Sequence, residues 1–120
     1  MLHNDFYTTH DIQQADNQYS CRIVFNADHD IFSGHFPGHP VVPGVCMMEM
    51  VKELTQGVLN QSLVLSVAGN VKFLQLITPD IQPQITIGWK EHEGGYKINA
   101  SFKLDAAFLF KMDGVYAIVE

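Results

Sequence analysis

GVCMMEMVKELTQGVL, residues 44–59, is the only long stretch of this 120-residue chain whose apolar residues recur at helical spacing. Met47, Met48, Val51, Leu54, Thr55 and Val58 fall at intervals of three and four, and no proline interrupts them. Pro43 suits the entry of a helix, while Gly57 and Asn60 weaken its far end. The spacing therefore predicts one helix from about Gly44 to Leu59, too apolar for a surface element. A sheet wrapped around it would account for that.

Downstream, the pattern is that of strands. SLVLSVAGNVKFLQLI, residues 62–77, is rich in β-branched and large apolar side chains, and Thr78–Pro79–Asp80 and Pro83 punctuate it. QITIGWKE follows and turns at Glu93–Gly94–Gly95. YKINASFKL alternates strictly: Tyr96, Ile98, Ala100, Phe102 and Leu104 point one way, and Lys97, Asn99, Ser101 and Lys103 the other. AAFLFKM leads to Asp113–Gly114, a hairpin-type dipeptide, and VYAIV follows it. Upstream, QYSCRIVFN alternates at Tyr19, Cys21, Ile23 and Phe25 as a half-buried strand does. Residues 1–17 are weakly patterned and read as a lead-in, and residues 27–44 read as a long ordered loop. One helix and about four antiparallel strands after it predict an α+β fold, a single domain over residues 1–120, with edges that invite pairing into a dimer.

Composition narrows the function. Hydrophobic residues make up 47% and charged residues 17%, as in a globular domain. A net charge of −6 argues against a nucleic-acid partner, which would require a broad basic face. The charge is uneven, because Arg22 is the only base before Lys52. Cys21 and Cys46 lack metal-ligand or redox spacing and read as reduced core thiols. The opening residues carry no signal-peptide pattern, and no apolar run approaches the ~20 residues of a membrane helix. The expectation is a cytoplasmic protein without a membrane partner.

The chemistry concentrates in SGHFPGHPVVPGVCMMEM, residues 33–50. His35 sits in a turn stiffened by Pro37, Pro40 and Pro43. An imidazole there can accept a proton at neutral pH. Glu49 is surrounded by Val45, Cys46, Met48 and Met50, and poor solvation disfavours the charged form of such a carboxyl. A base and a protonated acid around one cavity suit elimination of water beside a carbonyl. The free amides at the helix start, with Gly44 allowing close approach, would polarise that carbonyl. Glu49 lies five residues further in, about 7 Å along the axis at ~1.5 Å per residue. Other readings stand beside this one. His35 could tie down loop carbonyls, and Glu49 could face solvent with Lys52 and Glu53. His29, Asp30, His35 and His39 could be metal ligands, although their spacing is not that of a compact site. Pro37–x–x–Pro40 could be a polyproline ligand, and the methionines could be core filler.

GHFPGHPVVPGVCMMEM closely resembles the active-site signature of the β-hydroxyacyl-acyl-carrier-protein dehydratases of the hot-dog fold. Their pattern, G-H-F-P-G-x-P-h-h-P-G-h-x-x-x-E with h apolar, is met from Gly34 to Glu49. The resemblance implies a helix inside a curled antiparallel sheet, and His35 and Glu49 as the catalytic pair acting at the α-carbon and the β-hydroxyl. It further implies that the Gly44 amide holds the thioester carbonyl, and that Phe36, Val45 and Met48 line the substrate. It implies no cofactor and no metal. The substrate would be a thioester of acyl carrier protein or coenzyme A, in fatty-acid-type biosynthesis. In this family the two side chains of one site come from different subunits, so the smallest active unit would be a homodimer, with higher oligomers of dimers possible.

The chain departs from the family at two places. The family's PHRYPFLL-type segment is not found in FYTTHDIQQADNQYS, and its F-x-x-P-V-x-P-G-D stretch appears only as FLQLITPD, residues 73–80. These segments shape the tunnel and its mouth, so the acyl length is not carried over. Carrier proteins are acidic, and Lys72, Lys90, Lys97, Lys103 and Lys111 would have to gather at the mouth to meet one. Two further readings follow: a non-catalytic acyl-binding or partner subunit of a hot-dog heterodimer, or an acyl thioesterase.

Overall fold

A computed structural model describes residues 1–33 and 38–119; Gly34, His35, Phe36 and Pro37 lie outside the described residues. The chain runs β1 (Tyr7–Ala15), β2 (Gln18–Phe25), α1 (Asp30–Ser33), α2 (Gly44–Leu59), β3 (Leu63–Phe73), β4 (Gln84–His92), β5 (Gly95–Leu104) and β6 (Ala107–Ile118). All the strands join one antiparallel sheet in the order β1-β2-β4-β5-β6-β3. This is the α+β arrangement expected, with four strands after the helix.

Helix α2 spans the residues its spacing dictates. Pro43 sits at its N-cap in extended conformation, and Asn60 closes it in the left-handed region at φ 53°. Cys46, Met47, Met50, Val51, Glu53, Leu54 and Thr55 are its buried residues. The apolar ones among them share one core with Ile85, Ile87, Ile98, Ala100, Phe102, Phe110, Met112 and Tyr116 of the sheet. The alternation in β5 places Ile98, Ala100 and Phe102 in that core and Lys97 and Asn99 in solvent. Glu93 and Gly94 turn the β4–β5 hairpin with positive φ, 49° and 80°, as a primed two-residue turn demands.

Three segments differ from expectation. The lead-in is largely strand: β1 pairs with β2 at the sheet edge, and only Tyr7 of its nine residues is buried. An edge strand wetted on both faces shows no alternation. The loop after β2 contains the short helix α1, whose Phe32 stacks on Phe6 at 5.0 Å between ring centroids. Asp113–Gly114 is not a turn but the middle of β6. The Asp113 carboxylate accepts from the amide of Asn70 in an irregular stretch of β3, and Gly114 faces Leu65; the β5–β6 turn falls instead at Asp105, with φ 52°.

Cys21 and Cys46 are free and buried, as read from the sequence. Burial pushes the thiols of Cys21 and Cys46 and the phenols of Tyr7, Tyr19 and Tyr116 upward in pKa. The unfolded chain gives up these protons at their ordinary values, 9.0 for thiol and 10.0 for phenol, before the folded chain does. Stability from these groups is therefore whole below about pH 9 and falls as pH rises through the folded values. Urea midpoints should decline from pH 9 to pH 11; a flat or rising midpoint over that window would contradict this. No helix among the described residues is long and apolar enough to cross a membrane.

Candidate active site

The first turn of α2 sets the site. Pro43 offers no side-chain cap, and its carbonyl accepts from the amides of Cys46 and Met47 at 3.0 and 3.3 Å. Among the described residues the Gly44 and Val45 amides find no acceptor, as at any helix start. The segment after β3 passes directly alongside: the Val42 amide donates to the Ile77 carbonyl at 2.7 Å, and the Leu74 amide to Leu109 at 2.9 Å. Between these segments lies a hollow of about 500 Å³ lined by Val41, Val42, Pro43, Gly44, Met47 and Phe73 to Leu76. Phe73 lies over the helix start so closely that a Cβ on Gly44 would fall 2.7 Å from its ring. A side chain at position 44 would therefore have to displace the half-exposed Phe73 ring, and its absence leaves a route to the amides.

Glu49 is half-buried on α2. It neighbours the Cys46 thiol and the Tyr116 phenol: burial raises both pKa values first, and the negative charge of Glu49 raises them further. Met48 is half-buried and Val45 is 76% exposed. Val45, Phe73, Leu74 and Leu76 form an exposed apolar surface around the helix start and the end of the edge strand β3. His35 and Phe36 fall outside the described residues, so Gly44, Val45, Met48 and Glu49 are the members of the expected set that the structure places on one helix. Among the described residues no cluster of three metal-ligating side chains occurs.

The carboxylate one turn beyond Glu49 escaped the sequence reading. Glu53 is not on a solvent face but 6% exposed. It accepts the Leu2 amide at 2.8 Å, the His3 amide at 2.9 Å and the Tyr7 hydroxyl at 3.2 Å. The N-terminal turn it holds also packs Phe6 against Phe32 and His29, which precede the histidine loop. Its partners lie 46 to 51 residues away in sequence, and no local pattern could have announced them.

An antiparallel sheet of this order on a helix with an unblocked start beside an apolar hollow is the arrangement expected of a hot-dog protein. A family model described as ApeI-like, ApeI dehydratase, matches residues 11–109. The chain belongs to the ApeI-like dehydratase family. Among curated relatives it is 49% identical over 37 residues to the 3-hydroxyacyl-acyl-carrier-protein dehydratase FabZ of Thermus thermophilus, covering 31% of this chain and 25% of that protein. To the FabZ of Acidiphilium cryptum it is 29% identical over 90 residues, 67% of this chain and 54% of that one. The chain thus spans from a quarter to about half the length of these relatives. Among solved structures it superposes on the dehydratase heterocomplex ApeI:P from Xenorhabdus doucetiae with TM-score 0.76 at 22% identity, covering 91% of this chain and 96% of that one. It superposes on a thioesterase superfamily protein from Shewanella loihica with TM-score 0.59 at 10% identity, covering 91% and 90%. These structural likenesses show the fold.

Proposed function

We propose that the protein removes water from a 3-hydroxyacyl thioester to give the trans-2-enoyl thioester. In this reading α2 is the central helix of the hot dog, His35 takes the α-proton, and Glu49 delivers a proton to the departing β-hydroxyl. The Gly44 amide bonds the thioester carbonyl and stabilises the negative charge that develops there. Atoms balance without a cofactor: one C–H and one C–O bond break, a C=C bond forms, and water leaves. The hollow beside Gly44 takes the apolar acyl portion, bounded by Met47 and Phe73, with Phe36, Val45 and Met48 completing the lining. The observation that carries the reading is the unblocked Gly44 amide beside an apolar hollow, at the start of the helix that further along bears half-buried Glu49.

The exposed apolar residues Val45, Leu74 and Leu76 favour a site completed by a second chain, because a lone domain gains nothing from wetting them. The second chain is a further copy in the homodimer reading. The partner-subunit reading, in which a different hot-dog chain covers the same surface, is favoured by the solved relative being a heterocomplex. Incubation of the purified protein with a short 3-hydroxyacyl thioester separates the readings. Conjugated enoyl product supports dehydration, free thiol supports an acyl thioesterase, and absence of both supports the partner subunit.

A further inference from the structure

The four residues of α1 are too few to hold a helix by themselves, since a single turn fixes more backbone than its hydrogen bonds offset. Its start must be set from outside, and His29 does so. The Ile31 amide donates to His29 Nδ1 at 3.1 Å, a bond that serine, aspartate or asparagine more often accepts at a helix start. The other ring nitrogen, Nε2, stands 3.1 Å from the Asp5 carboxylate. An acceptor at Nδ1 and a donor at Nε2 describe one neutral tautomer, so both neighbours select the same form of the ring. The side chain is 16% exposed and lies edge-on to the Phe6 ring at 5.3 Å.

These contacts complete a chain from α2 to the entry of the histidine loop. Glu53 of α2 holds the Leu2 amide, and the Leu2 carbonyl accepts from the amides of Asp5 and Phe6 at 3.0 and 2.7 Å. Asn26 ties the stretch after β2 to the same turn. Its amide donates to the Phe6 carbonyl at 2.9 Å, and its side-chain Nδ2 to the Asp5 carbonyl at 3.0 Å. Asp5 then meets His29, His29 caps α1, and α1 ends at Ser33, two residues before His35 in the sequence. An asparagine at position 29 could also cap, because its Oδ1 is bonded to Cγ as Nδ1 is. The imidazole adds a second arm that reaches the N-terminal turn. Since Asp5 is largely exposed, the contact contributes little as an ion pair, and its effect is on which nitrogen carries the proton. With both nitrogens committed, His29 is not itself a base for the reaction.

We propose that Asp5 and His29 form a tautomeric lock on the entry of the histidine loop, which makes His29 a positioning residue for the base of the dehydration. The proposal rests on the dehydratase reading above. With Asp5 in place, Nδ1 keeps its lone pair toward Ile31. Without it, the ring can carry its proton on Nδ1 instead, where it would oppose the Ile31 N–H, and α1 loses its cap. Misplacing a reacting group by ~1 Å costs about 10²-fold in rate. The hollow beside Gly44 includes neither Asp5 nor His29, so substrate binding is spared.

Steady-state turnover of a short 3-hydroxyacyl thioester, together with nitrogen NMR of the histidine rings, tests this. His29→Ala is expected to lower kcat about tenfold or more with KM little changed, and His29→Asn, which keeps an acceptor for the Ile31 amide, to restore most of it. Asp5→Ala should lower kcat in the parent and leave it unchanged in the His29→Asn background, because the two residues act as a unit. The neutral His29 ring of the parent should be protonated at Nε2, and Asp5→Ala should convert it to a mixture and speed exchange of the Ile31 amide. Parent-like kcat in His29→Ala would overturn the proposal. So would an Asp5→Ala effect that persists in His29→Asn, or a parent ring protonated at Nδ1. If the parent turns over no thioester, the dehydratase reading fails, and the ring spectra and Ile31 exchange still decide the lock.

Discussion

Glu49→Gln and His35→Ala should each lower dehydration of a 3-hydroxyacyl thioester by about 10²–10⁴-fold, the range of a positioned acid or base. Glutamine keeps the shape and the hydrogen-bonding capacity of Glu49 while removing the transferable proton. Since Glu49 is half-buried and makes no hydrogen bond within the described chain, the urea midpoint of Glu49→Gln should match the parent. The fall should appear in kcat more than in KM, because proton transfer matters in the transition state and little in binding. Retention of full turnover in either variant would remove that residue from the mechanism.

The largest stability effect should come from a neighbour one helical turn away. Glu53→Ala strands two backbone amides and the Tyr7 hydroxyl, all held by one buried carboxylate at 2.8 to 3.2 Å. Hydrogen bonds to a charged group and the desolvation of abandoned donors together amount to about 3 kcal/mol. Tyr7→Phe, which removes only the longest bond, should cost about 1 kcal/mol. Denaturant midpoints compare the two, and a Glu53→Ala loss no larger than that of Tyr7→Phe would show that the N-terminal turn is not anchored through this residue. The interaction carries further than stability, because the same turn packs Phe6 beneath α1, at the entry of the loop that bears His35.

What could be read from the residues alone, and what could not, divides along physical lines. Helix α2 was legible to the residue because proline before it, a left-handed asparagine after it and a three-four apolar rhythm all agree. Strand β5 was legible because one face is core and the other water. Strand β1 was not, since beyond Tyr7 both its faces are largely wet and β2 is the strand it pairs with. Asp113–Gly114 misled because the dipeptide is favoured in hairpins, whereas here the aspartate serves an irregularity in a neighbouring strand. In the site, Gly44 and Glu49 carried a local signature. The Phe73 cover and the Glu53 anchor depend on residues brought together only by the fold.

The most direct measurement mixes two inactive proteins. His35→Ala and Glu49→Gln chains, unfolded together and refolded, form mixed dimers. If each pocket takes its histidine from one copy and its glutamate from the other, every mixed dimer holds one intact pocket. Random pairing then restores roughly a quarter of the parent turnover, as the symmetry of a two-fold assembly requires. Mixtures that remain as inactive as their parents, although mixed dimers have formed, would contradict the shared pocket.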